Sequence, residues 1–117
     1  MYYVKKRIEV SLAHKLSLSY ESKCCQMHGH NAIVTVYCRA RELNKDGMVV
    51  DFKQLKNIVC DMLDNRYVND VVDFNPTAEN LARHICESIE NCYKVSFQET
   101  EGNVACYVKD GEPDVDF

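Results

Sequence analysis

Residues 2–14 read YYVKKRIEVSLAH, and their alternation decides the fold. Val4, Ile8, Val10 and Leu12 share one parity with His14, while Lys5, Arg7, Glu9 and Ser11 share the other. Successive side chains of a strand point to opposite faces, so this pattern predicts a half-buried β-strand. Residues 30–42 alternate again, with Ala32, Val34, Val36, Cys38 and Ala40 set against Ile33, Thr35, Tyr37, Arg39 and Arg41. Part of the second set is apolar too, so both faces of this strand carry hydrophobic side chains.

Beyond a turn signal at 44–47, the period changes. Phe52, Leu55, Ile58, Val59, Met62 and Leu63 recur at helical spacing behind Asp51, whose carboxylate suits the N-cap. The helical pattern fades at Asp64 and Asn65, and residues 66–74 read as irregular. Pro76 and Thr77 open a second helix, with Thr77 as cap and Ala78, Leu81, Ala82, Ile85, Ile89 and Cys92 as its buried stripe. Short strands at 93–100 and 104–109, joined by Glu101-Gly102-Asn103, read as a hairpin. The tail, 111–117, is acidic and expected to be loose. The order is strand, strand, helix, helix, strand, strand. It predicts a single α+β domain over 1–117: a four-stranded antiparallel sheet (ββααββ) with both helices on one face. The second face and the edge strands then need cover, which a partner subunit can provide.

Composition narrows the function. The 117 residues are 46% hydrophobic and 27% charged, with a formal net charge of -4 and no basic cluster, which argues against nucleic acid as a partner. The N-terminal segment carries its charges internally with no apolar run after them, so neither a secretory signal nor a membrane anchor is expected. Seven cysteines without a secretory signal argue for free thiols and a cytoplasmic setting. Cys38, Cys60, Cys86, Cys92 and Cys106 fall in patterned segments and read as core or near-surface packing.

The chemistry gathers around CCQMHGH, residues 24–30. His28 and His30 are two apart, so in a strand they share a face. His14 ends the first strand on its apolar parity and faces that pair if the two strands form a hairpin. Three neutral imidazoles with one open position describe a catalytic zinc site; the plainer alternative is three polar residues near a turn. His84 lies inside the second helix and reads as surface or packing.

The motifs, in order, are Ala13-His14-Lys15-Leu16, Cys24 with three residues before His28-Gly29-His30, and Gly47 to Lys56 (GMVVDFKQLK). Leu63-Asp64, Asn75-Pro76-Thr77-Ala78-Glu79-Asn80 and Glu99-Thr100 follow. Over residues 8 to about 108 this set resembles the 6-pyruvoyl-tetrahydropterin synthase family, and the spacing from Cys24 to HGH is most similar to its bacterial 6-carboxy-tetrahydropterin synthase branch of the queuosine pathway. The resemblance implies a tunnelling fold, in which the sheets of three subunits close a barrel and two trimers stack into a homohexamer. It implies zinc on His14, His28 and His30, Cys24 as general base, Asp64 as a relay carboxylate, and Glu99 as the anchor of the pterin ring. It implies a lyase that converts 7,8-dihydroneopterin triphosphate to 6-carboxy-tetrahydropterin, releasing acetaldehyde and triphosphate. One position departs from the family: Asn65 stands where a relay histidine is usual, and asparagine cannot exchange protons near neutral pH. Formation of 6-pyruvoyl-tetrahydropterin, an aldolase-type cleavage, and pterin binding without turnover therefore stay open beside the lyase reading.

Overall fold

The computed structural model describes every residue except Asp114 and Asp116. Strand β1 (Tyr2–His14) pairs antiparallel with β2 (His28–Ala40). Helix α1 (Phe52–Leu63), the two-residue strand β3 (Arg66–Tyr67) and helix α2 (Ala78–Ser88) follow, then β4 (Cys92–Thr100) and β5 (Asn103–Val108). The sheet order is β3-β1-β2-β4-β5. The four long strands are antiparallel, as the alternation predicts. The fifth strand corrects the sequence reading of 66–74 as irregular, because Arg66 and Tyr67 pair in parallel with Leu12 and Ala13. Two residues are too few to show any period, so no pattern could have announced this strand.

Each helix starts where its cap predicts. Asp51 accepts a hydrogen bond from the Lys53 N–H at 2.8 Å, and Thr77 Oγ1 accepts from the Asn80 N–H at 3.1 Å, satisfying donors that have no partner inside the helix. Both helices lie on the even-parity face of β1 and β2. Leu55, Val59 and Leu63 of α1 and Leu81, Ala82, Ile85 and Cys86 of α2 meet Ile8, Val10, Leu12, Val34, Val36, Val95 and Phe97 in one buried core. Ile89 also joins it, just past the end of α2.

The cysteines divide by position. None of the seven is in a disulfide; Cys38, Cys86 and Cys92 are buried, whereas Cys24 and Cys106 are exposed. Cys92 Sγ approaches Cys86 Sγ at 3.5 Å. Its hydrogen bond to Cys92, reinforced by burial, pushes the Cys86 thiol up, and the hydrogen bond with Cys38 is the main cause that pushes Cys92 up to about 12. These two thiols stay protonated and serve as packing groups. His84 also packs, its ring 5.2 Å from that of Phe74.

The tail expected to be loose is in part held down. Glu112 forms an ion pair with Arg39, and the Phe117 ring lies 6.1 Å from that of Tyr37, edge-on. These contacts fall on the sheet face away from the helices. Asp114 and Asp116 lie outside the described residues.

What positions the end of β1 is the segment running from β3 to α2. Asn69 bonds both backbone groups of Lys15, accepting from its N–H and donating to its C=O, each at 2.9 Å. Asn75 does the same for Ser17, again at 2.9 Å both ways. The two amides act as single-residue strand partners and carry the pairing of β1 past His14. Asn80 in turn donates to the Asn75 carbonyl at 2.9 Å. Asn75→Ala is expected to cost about 1–3 kcal/mol, because two backbone groups lose their partners at once. Urea unfolding measures this as a lower midpoint with an unchanged slope.

Candidate metal centre

The register of β1 against β2 assembles the histidines. His14 pairs directly with His28, and Leu12 pairs with His30. All three imidazoles therefore stand at the same end of the core face. Ring centroids are 4.5 Å apart for His14 and His28, 5.0 Å for His14 and His30, and 4.8 Å for His28 and His30. A slip of one residue would set His14 against Gly29 and turn one strand's imidazoles to the opposite face.

Hydrogen bonds orient two of the rings. His14 Nδ1 lies 2.9 Å from the Pro76 carbonyl, and His28 Nδ1 lies 2.8 Å from the Gln26 carbonyl. A carbonyl only accepts, so in both rings Nδ1 carries the proton and Nε2 presents a lone pair, the tautomer that a metal ligand needs. Burial holds the His14 imidazole below the usual histidine range; the Pro76 carbonyl and Glu99 pull it the other way, and His28 and His30 add to the lowering. His14 is fully buried.

Glu99 completes the cluster. It shares the parity of Val95 and Phe97 on β4, so it closes the core face of that strand. Its Oε1 lies 2.9 Å from His14 Nε2 and 3.1 Å from His30 Nε2. Donor atoms of His14, His28, His30 and Glu99 all fall within 4.8 Å of one another. Yet His14 Nε2 and His30 Nε2 are buried with no hydrogen bond, although the carboxylate lies close to both. Two buried nitrogens left unsatisfied would be costly, and a cation between the donors removes that cost. Three imidazole nitrogens and a carboxylate oxygen are a donor set suited to zinc, so the residues present fit the ion.

The other residues expected at the site are placed separately. Cys24 sits exposed in a short 3-10 turn, Lys23–Cys25, ahead of β2. Its carbonyl accepts from the Leu16 N–H at 2.7 Å, which ties the turn to the chain leaving His14. Asp64 ends α1 and accepts from the Ser11 N–H at 2.8 Å. Asn65 donates its N–H to the Ser11 carbonyl at 2.7 Å, with φ at 58°. Asp64 and Asn65 line a cleft with Glu9, Ser11 and Asn31, and that cleft contains neither Cys24 nor the histidines. Sequence reasoning missed Pro76 as the group that orients His14. It also missed the closeness of Glu99 to the imidazoles. The parity of Glu99 with Val95 and Phe97 was the available signal for the latter.

Known proteins share this arrangement of elements. The profile of the 6-pyruvoyl tetrahydropterin synthase family matches residues 3–110. A putative 6-carboxy-5,6,7,8-tetrahydropterin synthase of Pyrococcus horikoshii is 42% identical over 71 residues, which cover 57% of this chain and 44% of that protein. The 6-carboxy-5,6,7,8-tetrahydropterin synthase of Bacillus subtilis is 26% identical over 121 residues, covering 89% of this chain and 83% of that one. The solved structure of Caenorhabditis elegans 6-pyruvoyl tetrahydropterin synthase superposes with a TM-score of 0.74 at 28% identity, over 93% of this chain and 96% of its own. A match over nearly the whole length, on a sheet and helix pair of the same tunnelling-fold form, makes this chain a member of the 6-pyruvoyl tetrahydropterin synthase family of enzymes.

Proposed function

We propose that this protein is a zinc-dependent lyase that converts 7,8-dihydroneopterin triphosphate to 6-carboxy-tetrahydropterin, with release of acetaldehyde and triphosphate. The observation that carries the reading is the convergence of His14, His28 and His30 on one point with buried, unsatisfied Nε2 atoms on His14 and His30. The relative from Bacillus subtilis bears the name of that synthase, and Cys24 keeps the branch's spacing to HGH.

Zinc held by the three imidazoles supplies Lewis-acid polarisation of the substrate's side-chain oxygens. Every other step falls to the chain itself. Cys24, as thiolate, takes a proton from a side-chain carbon next to a hydroxyl or carbonyl. Glu99 accepts two parallel hydrogen bonds from the pterin's 2-amino group and ring N–H, which selects the ring and directs the side chain to the histidines. Asp64 Oδ1 is committed to Ser11, so proton exchange in the relay falls to Oδ2. The assembly in this reading is a homohexamer, a dimer of trimers. Its support is that β3 covers β1 only at Leu12 and Ala13, which leaves most of that edge open, and that Tyr2 and Val104 are exposed. Among the described residues no helix is long and apolar enough to cross a membrane, and seven cysteines outside any disulfide fit the reducing cytoplasm of this reading.

Incubation of zinc-loaded protein with the triphosphate tests the reading: mass spectrometry should find 6-carboxy-tetrahydropterin, and acetaldehyde should accumulate with it. No tetrahydropterin from folded, zinc-loaded protein rejects it. A second reading, in which the side chain is cleaved differently or 6-pyruvoyl-tetrahydropterin forms, rests on Asn65, and the mass of the product separates the two.

Asn65→His is expected to leave turnover unchanged or raise it. The backbone at 65 is left-handed, and asparagine and histidine are both enriched in that region. Stability should therefore stay within about 1 kcal/mol of the parent. Steady-state turnover of the folded variant is the measurement, and a sharp fall would give Asn65 a role of its own.

A further inference from the structure

We infer that in the protein without substrate Glu99 is itself a metal ligand, closing the fourth position, and that a pterin opens the site by taking Glu99 away. The inference rests on the zinc reading of the three histidines and goes beyond it.

Three observations lead to it. The first is distance. Metal–ligand bonds of about 2.0–2.1 Å in a regular tetrahedron set donors about 3.3 Å apart. Glu99 Oε1 stands 2.9 Å from one imidazole nitrogen and 3.1 Å from another, near that spacing. The second is direction. These contacts are not aligned as hydrogen bonds, so both nitrogens stay unsatisfied although a carboxylate touches them. With the His14 proton committed to Pro76, a lone pair faces a carboxylate oxygen, which is repulsive unless a cation lies between. The third is backbone. In the pairing of β4 with β5, Gln98 meets Val104 and Thr100 meets Asn103, so Glu99 is the extra residue of a β-bulge. Bulges re-aim side chains beside functional sites, and this one falls on the residue whose carboxylate enters the cluster.

The two tasks given to Glu99 exclude each other in time. Anchoring a pterin by parallel hydrogen bonds engages both carboxylate oxygens, and the anchored edge lies across the bicyclic ring from the side chain that reaches the histidines, so the anchoring carboxylate stands away from the metal. Recognition of the ring and vacating of the fourth position are then one event. A molecule without the pterin edge leaves the site closed, and metal chemistry is confined to molecules that dislodge the carboxylate.

Zinc affinity, measured by competition with a chromogenic chelator, should fall about 10–100-fold in Glu99→Gln, with the fold checked by circular dichroism. Equal affinity in the two proteins overturns the inference. A second measurement needs no variant. In the cobalt-substituted wild type, azide should leave the visible spectrum unchanged, whereas azide with unsubstituted pterin, which has no side-chain hydroxyls to bind metal, should perturb it. An azide response of equal strength without pterin overturns the inference, as does azide silence when pterin is bound. If wild type binds no metal, the zinc reading fails together with this one. If it binds metal as described but turns over no triphosphate substrate, the proposed reaction fails while the role of Glu99 stands.

Discussion

In the proposed zinc lyase, His28→Ala is expected to abolish metal binding and turnover together. The ring it removes is one of three imidazoles whose centroids lie within 5.0 Å of each other, and its partner across the strand pair is His14. Two imidazoles and a carboxylate leave a weaker site, and Lewis-acid help worth several kcal/mol goes with the ion. Each 1.4 kcal/mol is tenfold in rate, so turnover should fall by about 10³-fold or more. Metal analysis of the purified variant should find little zinc, and excess zinc should restore little activity. The fold should survive, because His28 is half-buried at the end of the sheet whereas His14 is fully enclosed. Zinc content equal to the parent would remove His28 from the ligand set.

Cys24→Ala is expected to separate chemistry from metal binding. Cys24 belongs to the turn before β2 and is absent from the cluster of four donors, so zinc content should match the parent. Turnover should fall about 10²–10⁴-fold, the usual contribution of a positioned acid or base. Cys25 does not rescue it, since it is half-buried and its thiol points to the Tyr20 carbonyl at 3.8 Å. Metal analysis and steady-state assay on one preparation decide the matter. Normal turnover in Cys24→Ala would mean that another group takes the proton.

Much of the fold was legible because its periods are long. The apolar parity of β1 is interrupted only at Lys6, and the observed strand, Tyr2–His14, matches the expected 2–14. Strand β2 begins at His28, two residues before the expected start, because HGH itself pairs with β1. A glycine between two histidines shows no apolar alternation, so the pattern alone could not claim that end. Helix caps were legible at Asp51 and Thr77, where a short side chain that accepts from the backbone precedes an apolar stripe. Arg66–Tyr67 and the bracing amides of Asn69 and Asn75 were hidden, since their partners lie more than fifty residues away in the chain.

The chain by itself determined which side chains share a face: alternation put His14 behind Leu12, His30 beside His28, and Glu99 behind Phe97. Tertiary structure alone decided that these ends coincide. Strand register set His14 opposite His28, the pairing of β4 with β2 carried Glu99 to the same end, and the Pro76 carbonyl fixed the His14 tautomer. Parity is a local property of the backbone and can be read from neighbours two residues apart. Register, strand pairing and carbonyl each join segments distant in sequence, and only packing brings them together.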